Sequence, residues 1–199
     1  MKGHRIMIFK KILLSTFLLT AVIQAESSIG LNINNKDVEI SGQIDFNALA
    51  DYSSGTSYLI SGSYLYSGAN DHDNGEHLFT LGFSGQNSLP GIEGLTVALG
   101  AKAVFADSFT ALPLFVKANY ALPLIDTIPM TSLFAGFAYA PSVLTFSDGE
   151  DYSEFRIGAD MEVISNTHVF VGYRNIDTDY SYGDYNFNDS FYGGLKIAF

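Results

Sequence analysis

The segment VEISGQIDFN (residues 38–47) alternates between apolar and polar positions at every step. Its even-numbered positions carry Val, Ile, Gly, Ile and Phe, and its odd-numbered positions carry Glu, Ser, Gln, Asp and Asn. The segment EFRIGADMEV (residues 154–163) repeats this period of two. Successive side chains of a β-strand point to opposite faces, so both segments predict strands with one apolar and one polar face.

Extending this template outward, and breaking it at turn residues, gives ten candidate strands. They run over residues 28–34, 38–47, 57–67, 76–86, 94–106, 111–121, 131–140, 152–163, 167–177 and 190–199. Most have about 10 residues, the length that crosses a membrane when the strand is strongly tilted. We therefore predict an all-β fold, a closed antiparallel transmembrane β-barrel of ten strands, with eight strands as the alternative. The facing of the third strand stays open, because apolar side chains occupy both of its faces.

The first 25 residues have the features of an export signal. Lys2, Arg5, Lys10 and Lys11 precede an apolar run over residues 12–23, and Ala25 offers a small residue for cleavage. The run is too short to span a bilayer as a helix. We expect residues 1–25 to be a signal peptide and residues 26–199 to be the barrel.

Charge and composition exclude several functions. Removal of four basic residues with the signal takes the net charge from −11 for the whole chain to −15 for the mature chain. A nucleic-acid partner is excluded, because such proteins carry a basic surface. The chain has no cysteine, so it has neither disulfides nor cysteine-ligated metals.

The last strand carries a pattern of its own. It ends on Phe199, and Phe191, Leu195 and Ile197 continue the same face. This pattern resembles the C-terminal assembly signal of outer-membrane barrels. With a periplasmic C-terminus, the long polar links at residues 67–75, 141–151 and 178–189 lie outside the cell, and the short link at residues 164–166 lies inside.

A likeness to a known family is carried by residues 139–144 (YAPSVL), 152–156 (YSEFR), 169–174 (VFVGYR) and 188–199, and more weakly by residues 89–91 (LPG). In these stretches the chain resembles the YfaZ family of outer-membrane proteins. The resemblance implies a small outer-membrane barrel in a Gram-negative bacterium. It implies no biochemical activity.

The face of each strand opposite its apolar face is expected to line the lumen, and it carries balanced charges. The predicted acids are Glu39, Asp45, Glu154, Asp160 and Glu162, and the predicted bases are Lys102, Lys117, Arg156, Arg174 and Lys196. Avoidance of lipid explains why these groups face inward, but not why five acids meet five bases in an acidic chain. We expect a lumen closed by paired charges, with Arg156 in a ladder that draws on Glu154, Asp160 and Arg174.

Candidate chemistry elsewhere is weak. The segment from Asp71 to His77 places acids and two histidines in a predicted outer loop, where a general base of a rim hydrolase or a cation site is conceivable. All of these groups sit in one loop, the calcium-loop pattern fails, and no Gly-x-Ser-x-Gly sequence exists. His168 lies beside a predicted inner turn. We expect no catalytic residue, no bound metal and no cofactor.

Three functions remain open. The first is a structural or interaction protein with acidic outer loops, whose partners are outer-membrane lipids, lipopolysaccharide and the barrel-assembly machinery. The second is a narrow channel, or a binder of a hydrophilic or lipidic solute. The third is a hydrolase that uses the loop from Asp71 to His77.

Overall fold

The computed structural model describes residues 27–47, 55–68, 76–123, 129–180 and 183–199, so the predicted signal peptide lies outside the described residues. Twelve strands of this part of the chain form one antiparallel sheet. They are β1 (Ser28–Ile33), β2 (Asp37–Asp45), β3 (Ser57–Ser67), β4 (Glu76–Ser88), β5 (Leu95–Ala106), β6 (Phe109–Ala111), β7 (Leu114–Ala121), β8 (Thr131–Ala140), β9 (Thr145–Ser147), β10 (Gly149–Ile164), β11 (Thr167–Tyr180) and β12 (Gly183–Ala198). None of the helices in these ranges is long and apolar enough to cross a membrane.

Ten of these strands close into a barrel in the order β1-β2-β3-β4-β5-β7-β8-β10-β11-β12. Pairing of Ser28 with Ala198 begins the β1–β12 seam, which joins the first strand to the last. Closure gives each of the ten strands a hydrogen-bonded neighbour on both sides, so no edge is left open. The predicted ten-stranded barrel is confirmed. The eight-stranded alternative is wrong, since ten strands form the closed wall and β1 is one of them, paired with both β2 and β12.

The predicted strand 111–121 and the predicted loop 178–189 both differ from the structure. The candidate strand 111–121 is interrupted at Leu112 and Pro113, because proline has no N–H for the sheet. The carbonyl of Pro113 instead accepts the N–H of Lys102 at 3.0 Å. The expected loop over 178–189 is mostly strand, since β11 continues to Tyr180 and β12 begins at Gly183.

The side chains of β3 illustrate how the two faces of the wall are used. Leu59 and Leu65 are buried and face the lumen, whereas Ile60, Tyr64 and Tyr66 are exposed on the outer face. The outer face of the other strands is likewise apolar and exposed. The sequence left open which face of β3 points into the lumen. The buried leucines show that it is the face that carries Leu59 and Leu65.

One end of the barrel, called here the capped end, is filled by apolar side chains. The short strands β6 and β9 pair with each other and lie there, and β6 also pairs with β5. The buried cluster at this end consists of Leu65, Leu78, Val104, Phe109, Ala111, Ala140, Tyr152, Ile176 and Phe187. The expected loop over 141–151 therefore contributes β9 to a cap instead of forming a free loop.

The opposite end, called the terminal end, contains Ser28 and Phe199. The N–H of Phe199 donates to the carbonyl of Ser27 at 2.9 Å, and the short turn between β10 and β11 lies at the same end. Asn166 in this turn has a φ of 63°, a conformation that asparagine tolerates better than most residues.

Four lumen glycines lie directly opposite aromatic residues on the neighbouring strand. The pairs are Gly100 with Phe115, Gly158 with Phe134, Gly172 with Tyr192 and Gly194 with Phe170. A Cβ on any of these glycines would stand less than 3 Å from the opposing ring. Each ring therefore lies over the backbone of its glycine, and this packing needs the missing side chain.

The first prediction compares two adjacent glycines of β12. A Cβ at Gly194 would lie 2.3 Å from the carbonyl oxygen of Leu31 and 2.4 Å from the ring of Phe170. Gly194→Ala should destabilise the barrel by about 1 to 3 kcal/mol, the usual cost of overpacking. At Gly193 the nearest atom would be 3.7 Å away, so Gly193→Ala should be neutral. Urea unfolding in detergent micelles measures both, and equal stability of the two variants would contradict the packing argument.

Candidate functional site

The lumen contains a cluster of charges centred on Glu39 of β2. Its carboxylate accepts two hydrogen bonds from Arg156, at 2.9 and 3.0 Å, and one from Arg174 at 2.5 Å. Asn32 donates a fourth at 2.8 Å. The side chain of Glu39 is only 1% exposed, so these donors replace nearly all of its water.

A second carboxylate extends the cluster across the lumen. Glu154 of β10 accepts the Nε–H of Arg156 at 2.5 Å and the hydroxyl of Tyr152 at 2.6 Å, and it pairs with Lys102 of β5. Two strands separate β5 from β10, and three separate β10 from β2. Contacts between strands so far apart around the wall must cross the interior of the barrel.

Asp37 adds a third carboxylate on the side of the capped end. It accepts hydrogen bonds from Asn188 at 2.6 Å, Ser67 at 2.9 Å and Ser190 at 3.1 Å. The Nη2 atom of Arg174 lies 3.7 Å from Asp37, and the Nε–H of Arg174 donates to Asn188 at 2.9 Å. The cluster of Asp37, Glu39 and Glu154 with Lys102, Arg156 and Arg174 is electrically balanced, and we call it the central cluster.

A separate group lies nearer the terminal end. Asp160 pairs with Lys196 at 2.7 Å and with Nδ1 of His168 at 2.6 Å. The sequence expectation that Asp160 joins Arg156 is wrong, because Lys196 and His168 on β12 and β11 occupy its oxygens. His168 thereby shares a hydrogen bond with Asp160 in the wall.

Three predicted lumen charges stand outside both groups. Asp45 accepts the N–H of Asn47 at 2.8 Å, and Glu162 accepts the N–H of Asn166 at 2.8 Å, so both stabilise backbone near the terminal end. Lys117 faces the lumen and is exposed there, with its Nζ 5.1 Å from the centre of the Phe115 ring. None of the ion pairs formed among the described residues includes Lys117.

A cavity of about 390 Å³ extends from the central cluster toward the terminal end. Its wall carries hydroxyl and amide side chains together with the aromatic rings of Phe134, Phe170 and Tyr192. The charged groups on the wall are three carboxylates (Glu39, Glu154 and Asp160) and four cations (Lys102, Lys117, Arg156 and Lys196). The cavity is thus polar, with an excess of one positive charge.

The family model described as YfaZ precursor matches residues 9–199, which is nearly the whole chain. The chain belongs to the YfaZ precursor family. No curated protein matches the chain. Membership agrees with the resemblance found in the sequence, and the family's description names no activity.

Several site residues of this YfaZ-family barrel escaped sequence reasoning. Asp37 lies between the predicted strands 28–34 and 38–47, whereas in the structure it is the first residue of β2. Tyr152 and Asn188 share the inward parity of Glu154 and Ser190, and that parity was the signal that could have found them. Phe187, expected in a loop, instead packs in the apolar cluster of the capped end because β12 begins earlier than predicted.

The remaining candidate residues of the YfaZ-family barrel lie on its outer surface or outside the described residues. Residues 71–75 of the suggested rim site lie outside the described residues. His77 is exposed, stacks on Tyr64 and shares a 2.6 Å hydrogen bond with its hydroxyl. Phe191, Leu195 and Ile197 face outward, and each is more than half exposed. Their recognition by assembly machinery stays a prediction.

The second prediction tests the central cluster through one isosteric change. Glu39→Gln leaves Arg156 and Arg174 without their shared anion in a water-poor site, and it should cost about 3 to 5 kcal/mol of stability. Glu162→Gln makes the same chemical change near the terminal end and should cost less than about 1 kcal/mol. The free energy of unfolding in micelles measures the difference. A Glu39→Gln barrel as stable as the Glu162→Gln control would contradict the assigned role of Glu39.

Proposed function

We propose that this chain is an outer-membrane barrel of structural or interaction type whose lumen does not conduct solutes. The observation that carries the proposal is the central cluster, in which Lys102, Glu154, Arg156 and Glu39 connect three sides of the wall. The apolar cluster of the capped end lies beyond it. Two successive layers of side chains, one ionic and one apolar, therefore stand between the cavity and the capped end.

Barrel size supports a closed lumen. Eight strands enclose an interior just wide enough for side chains to fill, whereas aqueous channels come with about 16 to 18 strands. Ten strands lie near the filled end of this range. The salt bridges also resist opening, because a buried charge that loses its partner is strongly destabilising; removal of one partner costs about 3 to 5 kcal/mol.

The outer surface supports residence in a membrane. Large apolar side chains such as Leu99, Leu114, Val171 and Phe191 are each more than 60% exposed, which a soluble barrel could not sustain all round its wall. Most barrel strands have at least about 9 residues, the length needed to cross a bilayer at a tilt of about 45°. The word precursor in the family description agrees with export and signal removal.

The third prediction concerns location. The mature protein should fractionate with outer membranes and should migrate faster in gels when unheated than after boiling, because a closed barrel resists detergent. Deletion of Phe199 should lower the amount of assembled protein, since the terminal residue belongs to the proposed assembly signal. Recovery of the wild-type protein as a soluble periplasmic species would refute the proposal.

The fourth prediction concerns conduction. The wild-type barrel should give no steady porin-sized conductance in a planar bilayer. Arg156→Ala removes the side chain that joins Glu39 to Glu154 and should lower the unfolding temperature and raise the conductance. Lys36→Ala, in the turn between β1 and β2, is the control and should do neither. Porin-sized conductance from the wild-type protein would favour the channel function instead.

The proposed partners are membrane components at the two ends of the barrel. Acids near the capped end, among them Asp148, Glu150 and Asp151, suit divalent cations shared with the phosphates of lipopolysaccharide. Outer-membrane lipids contact the apolar outer face of the wall. The barrel-assembly machinery recognises the last strand, β12. We expect no nucleic-acid partner, because such partners need a basic surface and the chain is acidic.

We further propose that the barrel is not an enzyme. His77 faces outward and hydrogen-bonds a tyrosine, and His168 is held by Asp160 within the wall. These contacts favour a structural use of both histidines over the rim hydrolase. The fifth prediction is that purified protein turns over neither peptides nor phospholipids. Turnover that is abolished by His72→Ala or Asp73→Ala would establish the hydrolase.

A further inference from the structure

The cavity at the terminal end has the size and chemistry of a ligand site. Its volume of about 390 Å³ lies within the range of small-molecule sites, about 300 to 1,000 Å³. Its lining includes many side chains that can both donate and accept hydrogen bonds. Examples are Ser28, Ser41, Ser61, Thr96, Asn119 and Ser132. Such a lining suits a hydroxylated solute.

Lys117 supplies the charge that selects among such solutes. Every other cation on the cavity wall has a carboxylate partner: Lys102 has Glu154, Arg156 has Glu39 and Glu154, and Lys196 has Asp160. Lys117 has no ion-pair partner among the described residues, although it lines the same cavity. An anion that enters would therefore meet one available positive charge.

The cavity lies on the terminal-end side of the central cluster. Lys117 and Asn119 line it and keep accessible surface there. The central cluster and the apolar cluster lie on the side of the capped end. A ligand would enter through the terminal end, which faces the periplasm in the proposed orientation.

The aromatic rings give the cavity a second feature that suits a sugar-like ligand. Phe134 and Phe170 pack closely against the backbone at Gly158 and Gly194, and both rings line the cavity. Flat apolar faces next to hydroxyl side chains match the alternating C–H and O–H surfaces of a polyol ring. The pattern thus pairs a charge contact at Lys117 with a ring contact at the wall.

We propose that the barrel binds a small hydroxylated anion, such as a sugar phosphate or sugar acid, in the cavity at its terminal end, with Lys117 contacting the anionic group. The inference rests on the proposed closed lumen, because a through-channel would have no blind end in which to retain a ligand. It makes the protein a periplasm-facing binder in addition to a structural barrel.

The experiment measures binding of three probes to the full mature barrel in detergent micelles by ligand-observed NMR. Glucose 6-phosphate should bind, glucose should bind at least tenfold more weakly, and inorganic phosphate should also bind at least tenfold more weakly. Lys117→Gln should weaken glucose 6-phosphate binding at least tenfold, and Lys117→Arg should restore most of it. Lys36→Gln, a lysine change at the capped end, should leave binding as in the wild type.

Three outcomes would overturn the inference: no binding of glucose 6-phosphate at millimolar concentration, equal binding of glucose, or equal binding by the wild type and Lys117→Gln. Equal binding of inorganic phosphate would overturn the role of the hydroxylated wall. Unboiled gel mobility shows that Lys117→Gln is folded. Loss of binding in a non-conducting barrel overturns this inference alone, whereas conduction by the wild type overturns the proposed function as well.

Discussion

The buried charge of Glu39 is the constraint on which the interior of the barrel depends. A carboxylate removed from water is stable as an anion only if donors replace the lost hydration. Its donors stand on β1, β10 and β11, while Glu39 itself stands on β2. Widening or flattening the barrel would pull Arg156 from Glu39 across the lumen. The ionic layer therefore sets the cross-section of the wall as well as closing it.

The packing of aromatic residues against glycines on the neighbouring strand bears on how the volume of the lumen is filled. A ten-stranded wall encloses more space than an eight-stranded one, and side chains must fill it without clashing with the opposite wall. A ring that lies over a glycine on the next strand covers backbone and takes little of the lumen. Phe170 over Gly194 and Phe134 over Gly158 follow this design on the side of the cavity. The space that remains is the cavity, so the same pairs shape the wall that a ligand would contact.

Strand positions could be read from the sequence because the outer face repeats its apolar residues with a period of two. That signal failed where both faces are apolar, as in β3, and where polar residues continue a strand, as at Asp177 to Tyr180. It also missed the interruption at Pro113. The inward charges could be counted from parity alone, but their partners could not. Asp160 meets Lys196 and not Arg156, because pairing depends on strand tilt and on which side chains reach across the lumen.

Side-chain exposure differs along the lumen. The charged groups that hold the barrel together are largely buried, whereas Lys117, which a ligand would contact, is exposed. Arg174 is fully buried beside the apolar cluster and requires Glu39, Asp37 and Asn188 to offset its lost water. Lys117 keeps accessible surface inside the cavity and has no carboxylate partner among the described residues. In the proposed complex, the anionic group of the solute is the partner that Lys117 lacks in the fold. In the described part of this acidic chain, the cavity toward the terminal end thus has an excess of positive charge on its wall.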